Sequence, residues 1–355
     1  MVHPLAAATP VGSVPDLLRL LAVPAFAWAA HRDLRTRRVP NRTWPPLLLL
    51  GVVALAWDAL VAFGGPSFLG RLFLLRVGVS LGVVAPLGYL FWRLGGFGGA
   101  DAKALVTLAV LFPTYPTYYV GGTILPLARS AVGAFSLTVL TNAVLVGLAY
   151  PLALAVRNLA DGRVSPLAFV GKPVTSDAVE REYGRLLRTT SGVGRNGLDL
   201  DALRMYLRWR GTSLAALRAD PETHRDPRSL PGTPNDPGDG SLADFEGPPI
   251  AASAADGGTL ASRSSSASSA LPPDSPSERA AADPWGAAAF LASIEGDAYG
   301  TTPDRLRAGL DALVEEDEVW ITPGLPFLVP TFVGLVVGLV VGDLLFLALT
   351  AIGLA

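Results

Sequence analysis

The chain has 355 residues, 50% of them hydrophobic and only 16% charged, with a formal net charge of −2. A soluble domain carries about 25% charged residues, so apolar runs of membrane-spanning length are implied. There is no cysteine, which excludes disulfides, thiolate metal sites and thiol catalysis.

No Lys or Arg precedes Arg19, and no small-residue cleavage site follows the first apolar run. A cleaved signal peptide is therefore not expected. Six transmembrane helices are predicted in chain order, at about Val11–Ala30, Trp44–Phe63, Leu72–Trp92, Asp101–Phe112, Ser130–Val156 and Pro326–Leu354. The fourth is short for a full span and stops at "PTYP". Tyr, Trp and Pro near several ends suit the membrane interface and helix boundaries.

Orientation follows from the bases. "HRDLRTRRVPNR" places five arginines between the first two spans, which predicts a cytoplasmic loop. Alternation then puts "RLGGFGGADAK" and everything from Arg157 to about Thr322 in the cytoplasm, with both termini outside. Of the 30 acids only five lie outside residues 161–322, against twelve of the 28 bases. An acidic insert is thus set into a basic membrane part.

The predicted fold class is an all-α polytopic membrane protein with a large, α+β and partly disordered cytoplasmic insert between the fifth and sixth spans. The expected domains are 1–160, with the first five spans; 161–224, a folded cytoplasmic segment; 225–284, a linker; 285–322, a cytoplasmic helix and strand; and 323–355, the last span. "DLDALRMYLRWR" reads as an amphipathic helix. Residues 225–284 are rich in Pro, Gly, Ser, Asp and Ala, and that composition predicts disorder. "TTPDRLRAGLDALVEEDEVWITPG" predicts a capped helix followed by a strand.

The acids of the membrane part are Asp16, Asp33, Asp58, Asp101 and Asp343. Ionisable residues there are costly and point to function. The predicted topology gives Asp33 and Asp101 one depth on the cytoplasmic side. Two close carboxylates share a proton, so one takes a proton from water while the other donates to a carbonyl. That chemistry needs no metal or cofactor, and none is expected. The three histidines, at 3, 31 and 224, have no metal-ligand spacing. Gly95, Gly96, Gly98 and Gly99 would let the backbone before Asp101 bend sharply and admit a substrate strand.

Each residue also has a structural explanation. Asp101 fits an N-cap, and Asp33 fits as one charge in a topology-setting cluster. Lys103 fits a snorkelling base, and Asp58 and Asp343 fit partners for Arg76 or a bundle lining.

Two stretches resemble the motifs of a known family. "DLRTRRVPN" from Asp33 and "GGFGGADAK" through Asp101 and Lys103 are similar to the two motifs of type IV prepilin peptidases of the GxGD aspartic class, most closely the archaeal prepilin and pre-archaellin (preflagellin) peptidases. The resemblance covers the membrane part, including "PGLPFLVPTFVGLVVGLVVGD". It implies catalytic roles for Asp33 and Asp101, with Gly95, Gly96, Gly98, Gly99 and Lys103 as a supporting substrate loop. It implies precursors with class III signal peptides as substrates, the lipid bilayer as surroundings, and no nucleic-acid partner.

Ala100 departs from the motif's usual Gly. The bacterial branch often adds a cysteine-bearing N-methylation domain, so methylation is not expected of this cysteine-free chain. Presenilin-like intramembrane proteases share a Gly-x-Gly-Asp motif, but a Tyr-Asp partner and a Pro-Ala-Leu motif are missing here. A transporter using membrane acids is the alternative from another class, and it would show internal repeats.

Overall fold

Two units make up the chain: Met1–Ala153 with Leu325–Ala355, and Leu154–Gly324. The computed structural model describes residues 11–94, 97–189, 192–193, 197–242, 283–294, 298–324 and 326–354.

In the first unit, α1 (Val14–Arg19) and α2 (Ala22–Thr36) occupy the predicted first span. They are separate helices for a local reason. Pro24 has no N–H, so the carbonyl of Leu20 cannot receive the next helical bond. α2 stops at Arg37, which adopts the left-handed conformation (φ 55°) and donates its N–H to Asp33 O at 2.9 Å. A 3₁₀ turn at Asn41–Thr43 leads into α3 (Trp44–Phe63). Next, α4 (Ser67–Val79), a π-turn (Ser80–Val84) and α5 (Ala85–Arg93) form one continuous apolar rod. α6 (Gly99–Leu111) packs against α3 and α5 through a buried face that includes Leu105 and Leu108. A hairpin of β1 (Tyr118–Val120) and β2 (Thr123–Leu125) precedes α7 (Phe135–Ala160).

Among the described residues, three helices are long and apolar enough to cross a membrane: Asn41–Phe63, Ser67–Arg93 and Phe135–Ala160. The other three expected spans are shorter or broken. The 13 residues of α6 rise only about 20 Å, against a hydrocarbon core of about 30 Å. The last expected span divides at Gly342 (φ 104°), where the carbonyl of Ala128 fills the space a side chain would need. Asp343 then caps the following helix by accepting Phe346 N–H at 2.9 Å.

The structure does not pair Arg76 with Asp58 or Asp343. Arg19, fully buried, holds Asp58 at 2.5 Å and Asp16 at 3.0 Å, and its Nε donates to Leu111 O at 2.6 Å. One guanidinium thus ties α1 and α3 to the carboxyl end of α6. Asp343 accepts Thr138 Oγ1 at 2.8 Å, and Arg76 stands against Gly133.

In the second unit, β3 (Lys172–Thr175) and β4 (Arg185–Leu186) flank a central strand formed by Glu318–Thr322. Val174 pairs with Val319 and Leu186 with Ile321. Residues Arg188–Thr189 (β5) and Gly192–Val193 (β6) pair as a short ribbon, so the central strand is β7. α8 (Leu200–Arg210) is capped by Asp199 and closed by left-handed Gly211. Then come α9 (Leu214–Ala219), α10 (Pro221–Arg225), α11 (Ala287–Ser293) and α12 (Pro303–Glu315). The predicted N-cap Thr302 accepts Arg305 N–H. Leu203, Tyr206, Phe290, Leu310 and Ile321 share one core. The segments expected as separate pieces at 161–224 and 285–322 therefore contribute to a single interior.

Residues 225–242, expected to begin a disordered linker, are packed. Their Asp residues fold the backbone into local turns, as in the Gly238 N–H to Asp236 bond at 2.8 Å. Fully buried Arg204 donates to Gly240 O at 2.6 Å, and Leu230 packs on the core. The rest of the expected linker, 243–282, lies outside the described residues. Replacing 243–282 with a short Gly/Ser linker should leave the melting temperature of the second unit unchanged. Extending the replacement to 225–284 should lower its stability by about 3 kcal/mol or more, through the lost acceptor of Arg204 and the lost burial of Leu230. Thermal unfolding of the two full-length variants compares them, and equal melting would contradict the packing role of 225–242.

Candidate active site

The last two helices of the first unit, α13 (Leu328–Val340) and α14 (Leu344–Ala351), follow the second unit in sequence. α13 packs on α2 and touches α6, and these three helices build the site. Asp33 lies in the last turn of α2 and is 6% exposed. The start of α13 at Leu328 lies close to its carboxylate. Asp33 Oδ2 is buried without a hydrogen-bond partner among the described residues.

Asp101 lies in the first turn of α6. Its Oδ2 accepts the N–H of Gly98 at 3.0 Å, which closes the start of the helix. A side chain at position 98 would bring a Cβ to 3.2 Å from that oxygen, so glycine there keeps the carboxylate seated. The charge of Asp33 acts on Asp101, and Arg37 acts on both.

Both acids thus meet helix N-termini, where unpaired N–H groups favour anionic oxygen. Aromatic packing joins the two helix starts. The rings of Phe97, in the glycine loop, and Phe327, just before α13, lie 4.4 Å apart. The ring of Phe91, at the end of α5, lies 5.0 Å from that of Phe97.

Of the residues singled out in the sequence, Asp33, Asp101, Gly98 and Gly99 gather here, while Gly95 and Gly96 lie outside the described residues. Lys103 turns away and donates to Asn41 Oδ1 at 2.6 Å. Sequence reasoning missed Asn41, Arg37 and the start of α13 at Leu328. "VPN" and "PGLPFL" are the stretches that carried two of these signals. No group of His, Asp and Glu among the described residues is arranged to hold a metal ion.

The chain matches the type IV leader peptidase family over residues 20–152, which contain both Asp33 and Asp101. It matches the archaeal peptidase A24 C-terminus, type II, over residues 286–344. By these two matches the chain is similar to the archaeal type IV prepilin peptidases. A curated relative, prepilin peptidase EppA of Methanothermobacter thermautotrophicus, is 30% identical over 128 residues. That alignment takes in 35% of this chain and 31% of the relative, so the chain spans about a third of the relative's length. The family and the apolar helices together give a membrane location.

Proposed function

We propose that this chain is an aspartic endopeptidase that removes the short basic leader from type IV prepilin-like and pre-archaellin precursors at the cytoplasmic face of the membrane. Asp33 and Asp101 are the catalytic pair. The observation that carries this reading is that two acids from distant helices lie near enough for the charge of Asp33 to act on Asp101.

The reaction follows from the pair. The ionised carboxylate takes a proton from water, and the water oxygen attacks the scissile carbonyl. The protonated carboxyl donates to the carbonyl oxygen. The tetrahedral intermediate then expels the amine, which takes up the proton held by the first acid. Free Asp33 Oδ2 is suited to hold the water. Arg37 and the first-turn N–H groups of α6 and α13 stabilise the remaining negative charge.

The reading keeps the six-span topology, with α1–α2 and α13–α14 as broken first and last spans and both termini outside. Backbone that is irregular at membrane depth is tolerated where it lines a watery cavity. The test is cleavage of a purified precursor by the purified chain in lipid vesicles. The expected products are the leader and a mature protein beginning at the apolar helix. An intact precursor, or cuts inside the apolar helix, would refute the assignment.

Lys103 supports the site from outside it. Lys103→Gln should lower cleavage by about tenfold or less, because the exposed Lys103–Asn41 hydrogen bond is worth about 0.5–1.5 kcal/mol. Lys103→Arg should be milder. Initial rates on inserted protein check this, and complete inactivation by Lys103→Gln would place the ammonium on the substrate or the acids.

A further inference from the structure

A cavity of about 430 Å³ opens between α3, α5 and α6, on the side of α6 away from Asp101. Its α6 wall is Gly99, Ala102, Lys103 and Val106, so it begins at the first residue of the helix that carries Asp101. Successive members are one to three residues apart and share a face, whereas Asp101 projects roughly opposite on the helical wheel. The cavity is therefore distinct from the acid pair, and its volume is that of a small-ligand site.

Its walls are apolar except at one rim, where exposed Lys103 meets Asn41. Tyr89 and Trp92, with rings 5.5 Å apart, form its α5 wall. Exposed Arg42 follows Asn41 in the chain, and exposed Arg93 follows Trp92. No acid lines the cavity. Trp44 lines it while only 3% exposed.

We propose that this cavity binds one anionic phospholipid. The lipid chain lies along Leu48, Tyr89 and Val106. The headgroup phosphate sits at Lys103, within the field of Arg42 and Arg93. The chemistry matches on both counts: apolar walls take a lipid tail, and a basic rim between membrane helices takes an anionic headgroup. Lys103 lies two residues from Asp101 on α6, so a bound lipid fixes the depth of the helix start that carries the acid.

The test uses the full chain in detergent, loaded from mixed phosphatidylglycerol–phosphatidylcholine vesicles and read by native mass spectrometry. It does not depend on peptidase activity. The expected result is selective retention of one phosphatidylglycerol. Lys103→Gln and the exposed Arg42→Gln should each weaken that selectivity about fivefold, the effect of one basic charge near a membrane surface. Leu48→Trp, which fills the cavity, should abolish retention. Equal retention of both lipids, or retention unchanged by Leu48→Trp, would overturn the proposal. Displacement by glycerol phosphate alone would make the site one for a free anion, and displacement by a precursor's apolar helix would make it a substrate groove. Either result would also overturn it.

Discussion

Asp33→Asn and Asp101→Asn should each lower precursor cleavage by about 10²–10⁴-fold, the usual contribution of a general acid or base, with the protein still folded and inserted. The substitution is nearly isosteric. An asparagine at 101 keeps an oxygen to accept the Gly98 N–H, so the start of α6 should survive. An asparagine at 33 likewise keeps an oxygen beside the start of α13 at Leu328. What is lost is the shared proton, because an amide neither takes a proton from water nor supplies one to the carbonyl. The effects should not multiply, since either loss disables the same step. Cleavage of a purified precursor, with size-exclusion profiles to confirm folding, measures this. Near-normal processing by either variant would remove the pair from the mechanism.

The second large effect lies far along α6 from the acids. Arg19→Met should destabilise the first unit by about 3–5 kcal/mol, the cost of removing one member of a buried ion pair. The Arg19 guanidinium compensates Asp16 and Asp58 and satisfies the Leu111 carbonyl at the end of α6. Methionine fills similar volume but leaves two carboxylates uncompensated in an apolar setting. The triple variant Arg19→Met, Asp16→Asn, Asp58→Asn should recover much of the loss, because uncharged replacements remove the uncompensated charge. Thermal aggregation in detergent separates the cases. A single variant as stable as the parent chain would show that the cluster carries little energy.

How much of this was legible from the sequence depends on the range of each signal. α3 begins at Trp44 and ends at Phe63 as its apolar run does, because a uniformly apolar helix is a local pattern. Asp33 and Asp101 stood out because acids are rare among membrane helices. The break before α2 was signalled by Pro24 but hidden inside an otherwise continuous apolar run. Arg19 was missed because its partners lie 3, 39 and 92 residues away, which no periodicity connects. The shared core of 161–224 and 285–322 was missed for the same reason, since β3 and β4 meet only by pairing with β7. Composition misled at 225–242, where turn-forming Asp and Gly residues serve an ordered wrap around Arg204. The role of the α13 start at Leu328 depends on α13 packing against α2, a long-range contact.

The central claim is that Asp33 and Asp101, on separate helices, work as one pair. The chain contains no cysteine, so Asp33→Cys and Asp101→Cys can be introduced together without any competing thiol. In membranes, a short bifunctional thiol reagent should then link α2 to α6 within one molecule, and proteolysis followed by mass spectrometry should recover the joined peptides. Each single-cysteine variant should take up a monofunctional reagent without forming the bridge. If both positions label in the double variant but no intramolecular link forms, the acids do not meet and the account of the site is wrong.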